Sequence, residues 1–253
     1  MSAPEMPHIR AFVAAFARRK AARTAGFPGG FAALDDAYAA SHADNFVVVD
    51  GDVDPEALPA LADDALGHLE HRAVTVLDDA TGTACAEPLT RAGYSHSAEV
   101  VMLHTGTVPD GGPAEAVDLD AFREPLARRW RGFLPEADDE VVRQLVDRRE
   151  ARRRGADVVR FIGARTPEGD VASWTDLYMD RASGIAQIED LITSETHLGR
   201  GYGDAVLSTA LRQAVDAGCA TRFLIADADD WPRHWYARRG FTVIGRFHSF
   251  ARD

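Results

Sequence analysis

The sequence predicts an α/β protein in which mixed sheets are flanked by helices. Three observations support this class. The order strand, helix, strand, helix, strand occurs in both halves of the chain. In the second half, short turns join three apolar segments, so these strands should run antiparallel. The last of these strands leads through a glycine-rich loop, Gly199–Gly203, directly into a helical pattern.

The first half contains alternating strand and helix patterns. Asp54 is the expected N-cap of the first helix, because its side chain can accept a hydrogen bond from an unpaired N–H group and a proline follows it. The expected strands lie at residues 46–49, 73–77 and 99–104, and the expected helices at residues 55–69 and 84–92.

A segment dense in glycine and proline, residues 105–113, is the best candidate for a linker. We therefore expect a domain at residues 1–107, a linker at 108–114 and a second domain at 115–253. In the second domain we expect helices at residues 118–133 and 138–153, strands at 158–164, 172–179 and 186–193, a helix ending near 217, a strand at 222–226, a helix at 231–239 and a last strand at 241–250.

The two halves resemble each other where a helix ends on glycine and the chain enters a strand on an aromatic residue. Gly93 is followed by Tyr94, and Gly240 is followed by Phe241. The offset between the two glycines, 147, pairs Leu89 with Tyr236 and Asp54 with Gly201. We interpret the first half as a degenerate copy of the second.

The composition limits the classes of function. The 253 residues include 28 Lys+Arg against 40 Asp+Glu, a formal net charge of −12, which disfavours a nucleic-acid partner and favours a cationic or amine-bearing substrate. The two cysteines, Cys85 and Cys219, exclude a disulfide framework and a cysteine-based zinc site. No apolar run reaches the roughly 18 residues of a membrane helix. We expect a cytoplasmic protein with no membrane partner.

The glycine-rich loop is the strongest functional signal. Glycines at 199, 201 and 203 let the backbone approach a ligand closely, and the following helix start offers unpaired N–H donors at a positive dipole end. Arg200 adds local positive charge. This combination favours phosphate binding.

Three segments of the second half resemble the GNAT superfamily of acyl-CoA-dependent N-acetyltransferases. They are the strand Gln187–Thr193, the loop Gly199–Gly203 and the segment Asp229–Phe241. The resemblance covers residues 115 to 253 and implies tandem GNAT-like mixed sheets with a degenerate N-terminal copy. Two residues depart from the family pattern: Leu198 stands where arginine or glutamine is usual, and Asp229 where asparagine is common.

The resemblance implies a transfer of the acetyl group of acetyl-CoA to an amine, with acetyl-CoA as cosubstrate and no metal. The residues expected to bind the coenzyme are Leu191, Ile192, Thr193, Gly199, Arg200, Gly201, Tyr202, Gly203, Asp204 and Asp229. Tyr236 stands where the family has its general acid, although a packing role is open. Glu189 is the candidate base because alternation places it on one face with Gln187, with Asp190 on the other. A solvated edge carboxylate is the alternative for Glu189.

Trp174, Asp176 and Tyr178 share one face of the preceding strand and could line an amine pocket. The histidines at 197, 234 and 248 have no metal-ligand spacing and are expected at the surface or in packing. The arginine-rich run at 148–154 closes a predicted helix, so we interpret it as a solvated helix end.

The first half has carboxylates at 50, 52, 54 and 56 where the loop should lie, and Leu89 opposite Tyr236. Because carboxylates repel a diphosphate, we expect this half to bind no CoA. Two other functions stay open. One is a non-catalytic acyl-CoA sensor. The other is a nucleotide-binding dehydrogenase, which fits less well because this sequence lacks the third glycine of that motif. The acceptor, a small molecule or a peptide, and the oligomeric state, monomer or homodimer, are also open.

Overall fold

The computed structural model describes residues 3–253, and these residues form two compact units. The first unit consists of the chain up to Met102 together with Ile225–Asp253, and the second is Leu103–Leu224. The C-terminal segment joins the first unit because its long last strand pairs with a strand near residue 74. These units divide the chain at other places than the domain boundary expected at 108–114. That boundary separates two proposed copies of a fold and stays a prediction.

Helices and strands alternate along the chain. The α-helices are α1 (Met6–Lys20), α2 (Leu58–Leu66), α3 (Asp79–Arg91), α4 (Asp120–Phe133), α5 (Asp139–Asp147), α6 (Arg149–Arg152), α7 (Tyr202–Asp216) and α8 (Pro232–Ala237). The strands are β1 (Arg23–Phe27), β2 (Gly30–Leu34), β3 (Phe46–Val49), β4 (Arg72–Val76), β5 (Ser95–His104), β6 (Glu115–Ala116), β7 (Val158–Arg165), β8 (Val171–Asp180), β9 (Ile185–Thr193), β10 (Thr221–Asp227) and β11 (Phe241–Arg252).

The sheet of the first unit has the strand order β1-β2-β3-β4-β11-β5. Strands β1, β2 and β3 form an antiparallel meander, and β3 and β4 run parallel with α2 between them in the chain. Aliphatic side chains of these strands and of α2 and α3 form the core. Its fully buried members include Leu34, Val49, Leu58, Val76 and Leu89.

The sheet of the second unit has the order β10-β9-β8-β7-β6. Strands β7, β8 and β9 form an antiparallel meander, and β9 and β10 run parallel with α7 between them. Helix α7 packs against β7, β8 and β9, while α4 packs against β8 and α5. Phe122 of α4, Phe161 of β7 and Trp174 of β8 meet in the core beneath α4.

The two units repeat one topology, an antiparallel three-strand meander followed by a parallel crossover through a helix. Gly93 and Gly240, after α3 and α8, both have a left-handed backbone, with φ of 90° and 85°. The register before the crossover helix differs from the one expected. Ala57, not Asp54, is the N-cap residue of α2, because the Asp54 side chain accepts from the N–H of Glu56 in the turn before the helix, and Gly201 is the N-cap residue of α7.

The predicted fold class, mixed α/β with helices flanking the sheets, is confirmed. Sequence patterning misses α1, β1 and β2. The signal for α1 exists, since Ile9, Phe12 and Phe16 lie on one buried face at helical spacing, but charged residues dilute it. The helix expected at 138–153 is divided at Arg148 into α5 and α6. Among residues 3–253, no helix has the length and apolar character needed to cross a bilayer.

Stability in the first unit should depend on pH through His71. Its side chain is buried, Nε2 lies 3.2 Å from the carbonyl oxygen of Asn45, and its ring stacks on His42 with centroids 3.9 Å apart. Burial, and then the neighbouring His42, lower the pKa of His71 below 6.5. The unfolded chain therefore binds more protons, so this contribution is complete above pH 6.5 and is lost as the pH falls towards the folded pKa.

We expect the free energy of unfolding, measured by urea titration at pH 7.5, 6.5 and 5.5, to fall less steeply with acid in His71→Gln than in the wild type. Glutamine keeps an N–H donor for Asn45 but does not titrate. Equal slopes in the two proteins would contradict this assignment.

Candidate functional site

The loop between β9 and α7 takes a backbone path that requires glycine. After one 3-10 turn at Glu195–His197, Gly199 and Gly201 adopt φ values of 73° and 85°. A Cβ atom at either position would meet no atom within 4 Å. The requirement for glycine is therefore conformational, since a left-handed backbone costs other residues about 1–2 kcal/mol.

This loop ends at the N-terminus of α7, a helix of 15 residues with Gly201 as its N-cap. Its N-cap residue is a glycine and makes no side-chain capping hydrogen bond. The first N–H groups of a helix have no intrahelical partner and carry a partial positive charge. With the exposed guanidinium of Arg200 beside them, the backbone donors of residues 201–204 can bind phosphate groups.

Strand β9 carries a β-bulge shortly before the loop. Trp174 of β8 pairs with Ile192, and Asp176 pairs with Glu189, so β9 has one more residue than β8 between these pairs. Asp190, inside the bulge, has a φ of 49°. A bulge leaves a backbone group outside the ladder and re-aims the side chains that follow. Beyond it, the hydroxyls of Thr193 and Ser173 lie 2.9 Å apart.

Of the two side-chain orientations predicted on β9, the structure confirms that of Glu189 and contradicts that of Asp190. Gln187 donates to Glu189 at 2.6 Å, so these two side chains lie on one face as alternation predicts. The prediction that Asp190 points to the opposite face was wrong. Its carboxylate accepts hydrogen bonds from the same two arginines that hold Asp176, because the extra residue interrupts the alternation.

A buried ion cluster holds α6 to the sheet. Arg149 and Arg152 donate to Asp176 and to Asp190, with the Arg152–Asp190 contact at 2.8 Å, and the hydroxyl of Tyr178 donates to Asp176 at 3.0 Å. The interpretation of residues 148–154 as a solvated helix end was wrong for the two arginines, which are 3% and 6% exposed. Two carboxylates and two guanidinium groups make this cluster neutral.

Two groups in the cluster, Asp190 and Tyr178, have pKa values that depart from their ordinary ones. Burial acts to raise the pKa of Asp190, but the guanidinium groups of Arg152 and Arg149 outweigh it and hold the pKa well below the usual range. Burial raises the pKa of Tyr178 well above 10. Asp190 is therefore ionised and Tyr178 is protonated at neutral pH, as the ion pairs and the hydrogen bond require.

These contacts engage two of the three residues expected to line an amine pocket. The carboxylate of Asp176 is fully buried and bonded to two arginines and Tyr178. Trp174, by contrast, lines a cavity between α4 and the end of β9. The binding of substrate by these three residues stays a prediction.

Tyr236 and Asp229 belong to the first unit. Tyr236, on α8, is 8% exposed, and its ring meets Trp235 and Phe241 edge to face at 5.1 and 5.7 Å. The backbone N–H of Asp229 donates to the carboxylate of Asp227 at 2.7 Å, forming a tight turn before α8. The catalytic role of Tyr236 and the coenzyme contact of Asp229 stay predictions.

The histidines were expected at the surface or in packing, and His248 is a packing residue. It is 5% exposed and lies 2.9 Å from both His96 and Asp79 through its two ring nitrogens. Sequence inspection misses this chain of hydrogen bonds because 152 residues separate the two histidines. Within residues 3–253, no group of three or more His, Cys, Asp and Glu side chains could hold a metal ion.

In the first unit, the segment between β3 and α2 is rich in carboxylates that make local ion pairs. Asp50 pairs with Arg18 at 2.8 Å, and Glu56 pairs with Arg91 at 3.0 Å. Asp54 accepts from the N–H of Glu56 at 3.1 Å instead of capping α2. This loop thus presents negative charge near the start of α2, where the equivalent loop of the second unit presents N–H donors.

Comparison with known families gives a match in the second half of the chain. Residues 120–241 match the family model described as acetyltransferase (GNAT) family. This segment includes β9, the glycine-rich loop, α7 and the helix that carries Tyr236. Comparison with curated proteins gives no match.

Solved structures share the fold at low sequence identity. A GCN5-related N-acetyltransferase from Kribbella flavida has a TM-score of 0.62 and 16% identity over 97% of this chain and 94% of its own. A functionally unknown conserved protein from Staphylococcus epidermidis has a TM-score of 0.64 and 12% identity, covering 90% and 92%. A tandem GNAT protein from the clavulanic acid biosynthesis pathway has a TM-score of 0.53 and 14% identity, covering 82% and 74%.

The buried ion cluster generates a stability prediction. Asp176→Asn removes one of two negative charges and leaves two buried guanidinium groups with a single carboxylate. We expect the free energy of unfolding, measured by urea titration, to fall by about 3–5 kcal/mol.

The matched control is Glu115→Gln, which breaks the exposed 3.1 Å pair with Arg165 in the same unit. We expect a change of about 0–1 kcal/mol there. Equal losses in the two variants would show that burial does not set the cost.

Proposed function

Since this chain carries a GNAT-family acetyltransferase domain at residues 120–241, we propose that it is an N-acetyltransferase that transfers the acetyl group of acetyl-CoA to a primary amine. The single observation that supports this proposal most is the left-handed Gly199–Gly201 path into the uncapped N-terminus of α7. Those backbone donors suit the diphosphate of coenzyme A.

The proposed coenzyme site extends from β9 into α7. Leu191, Ile192 and Thr193, next to the bulge, would contact the pantetheine arm. The residues proposed to surround the diphosphate are Gly199, Arg200, Gly201, Tyr202, Gly203 and Asp204, and Asp229 joins them by family resemblance. Leu198 is 57% exposed and offers no hydrogen bond where the family pattern has a polar side chain, so the diphosphate would depend on main-chain donors.

Acetyl transfer requires two proton movements. An amine of pKa ~10.4 must first lose a proton, which at pH 7 costs about 4.6 kcal/mol. Its lone pair then attacks the thioester carbonyl, the C–N bond forms, the C–S bond breaks, the nitrogen gives up its second proton and the CoA thiolate takes one. The products are the acetylated amine, free CoA thiol and one released proton.

Glu189 and Tyr236 are the residues proposed for these proton movements. The carboxylate of Glu189, held at 2.6 Å by Gln187, would accept the proton of the amine directly or through water. The phenol of Tyr236 would donate to the leaving thiolate. Trp174, Asp176 and Tyr178 enter the proposal as the wall on the acceptor side, with Asp176 acting through the arginines that it binds.

The first half is proposed to bind no coenzyme, because carboxylates occupy the segment before α2 and Leu89 stands where Tyr236 would be. Two further features fit a reducing cytoplasm. Cys85 and Cys219 are both buried and free, and burial raises the pKa of the Cys85 thiol to about 11. Both cysteines are therefore unreactive thiols at neutral pH.

Gly201→Ala should weaken acetyl-CoA binding at least tenfold, because the new Cβ strains the left-handed N-cap and projects into the space proposed for the diphosphate. The measurement is the Kd by isothermal calorimetry, with acetyl-CoA as the titrant.

Gly218→Ala is the matched control for this variant. Gly218 follows the other end of α7 and has a φ of 83°, and a Cβ atom there would likewise meet no atom within 4 Å. Both variants should lose similar stability, while the control keeps its affinity. Equal affinities in the two variants would remove the loop from the coenzyme site.

Tyr236→Phe should lower kcat by about 10²–10⁴ and leave the Kd for acetyl-CoA unchanged, since it removes the proposed proton donor and keeps the packed ring. The assay is thiol release with a panel of amines, and Tyr38→Phe is the control. Tight acetyl-CoA binding by the wild type with no turnover of any amine would instead favour an acyl-CoA sensor.

A further inference from the structure

A cavity of about 270 Å³ lies in the second unit between the C-terminal half of α4 and the end of β9. Phe133, Trp174 and Ile192 give it apolar walls, and Thr193 and Ser194 form the side next to the glycine-rich loop. The cavity therefore borders the part of β9 where the proposed thioester would lie. A ligand in it would be adjacent to the coenzyme.

The cavity carries positive charge in a chain whose formal net charge is −12. Arg128 and Arg129 both line it, against one carboxylate, Glu195. Arg128 is already paired with Glu124 at 2.6 Å, outside the lining. Arg129 is therefore the guanidinium available to a ligand.

Arg129 makes no hydrogen bond or ion pair with any residue in the described part of the chain. Arg129 is exposed, and its guanidinium lies over the ring of Phe133, 4.5 Å from the centroid, a contact that favours this orientation and leaves its N–H groups free. Burial lowers the pKa of Arg129, and Asp190 and Glu195 act in the opposite direction at longer range. A guanidinium held in this way is suited to a planar carboxylate, which it can bind through two parallel hydrogen bonds.

Trp174 supplies a second unsatisfied donor. Its side chain is 1% exposed, and its indole Nε1–H has no hydrogen-bond partner among residues 3–253. Buried indole N–H groups normally have a partner, and leaving one without is costly. Trp174 lines the cavity, and its indole nitrogen is closed to solvent, so an acceptor oxygen of a bound ligand would satisfy it once the surrounding side chains shift.

We propose that this cavity binds an acceptor amine that also carries a carboxylate on an apolar body, with the carboxylate on Arg129 and Trp174. This inference rests on the proposed acetyltransferase function and names its substrate class, amino acids and their derivatives. The aromatic and aliphatic walls favour a hydrophobic side chain. Arg129 and Trp174 are specificity residues in this assignment and take no part in proton transfer.

The test uses pairs of amines that differ by the carboxylate alone: phenylalanine with 2-phenylethylamine, and leucine with 3-methylbutylamine. Thiol release from acetyl-CoA gives kcat and KM for each, and calorimetry on the CoA-saturated protein gives a Kd that does not depend on turnover. We expect the carboxylate-bearing member of a pair to bind at least tenfold more tightly.

Arg129→Gln should raise the KM for the amino acid by about 10- to 100-fold, leave kcat nearly unchanged and abolish the preference within the pair. Trp174→Phe should raise the KM by a smaller factor. Arg131→Gln removes the same charge from α4, at an exposed residue paired with Asp139, and should leave all constants unchanged.

Three results overturn the inference. One is equal or weaker binding of the carboxylate-bearing amines. Another is an Arg129→Gln variant that weakens acetyl-CoA and leaves the amine KM alone, which would assign Arg129 to a phosphate of the coenzyme. The third is an Arg131→Gln variant with the same effect as Arg129→Gln, which would show a field effect of charge. Failure of the wild type to bind acetyl-CoA is a separate result and would refute the proposed function.

Discussion

The second unit depends on one constraint, the buried ion cluster of Arg149, Arg152, Asp176 and Asp190. A guanidinium buried without a carboxylate costs several kcal/mol, so α6 can cover the sheet only where two acids meet its two arginines. The second acid, Asp190, reaches them because β9 bulges at this residue. The bulge in turn sets how the last three residues of β9 enter the loop. The ion cluster, the β-bulge and the glycine-rich loop are thus one connected arrangement.

The repeated topology shows which parts of this arrangement are specific to the second unit. Both units have a three-strand meander and a parallel crossover through a helix. The units differ at the start of the crossover helix. Gly201 is the N-cap in one and Ala57 in the other, where Asp50 and Glu56 also form local ion pairs. The fold persists under both arrangements, because the crossover depends on buried aliphatic residues and not on the sequence of the loop.

Much of the fold, and part of the candidate site, could be predicted from local periodicity in the sequence. The strands β7 to β9 and the end of helix α7 lie within one or two residues of their predicted positions, since their periodicity and turns are short-range signals. The ion cluster could not be predicted, because Arg149 and Asp176 are 27 residues apart and a bulge decides which side chains share a face. The position of the C-terminal strand in the first unit could not be predicted for the same reason, since it depends on long-range contacts. Strand β11 pairs with β4 through contacts that no local periodicity encodes.

The net charge of the chain and the charge of its cavity lead to different expectations about the substrate, and the local one carries more weight. A net charge of −12 favours a cationic ligand at long range, but salt screens that field within about 10 Å. At the cavity, the stacked Arg129 and the unpaired indole of Trp174 would act on a bound ligand at contact distance, where salt screens least. An amine that also bears a carboxylate agrees with both fields, since its ammonium is attracted by the acidic surface and its carboxylate by the guanidinium. A simple polyamine would meet the guanidinium with like charge.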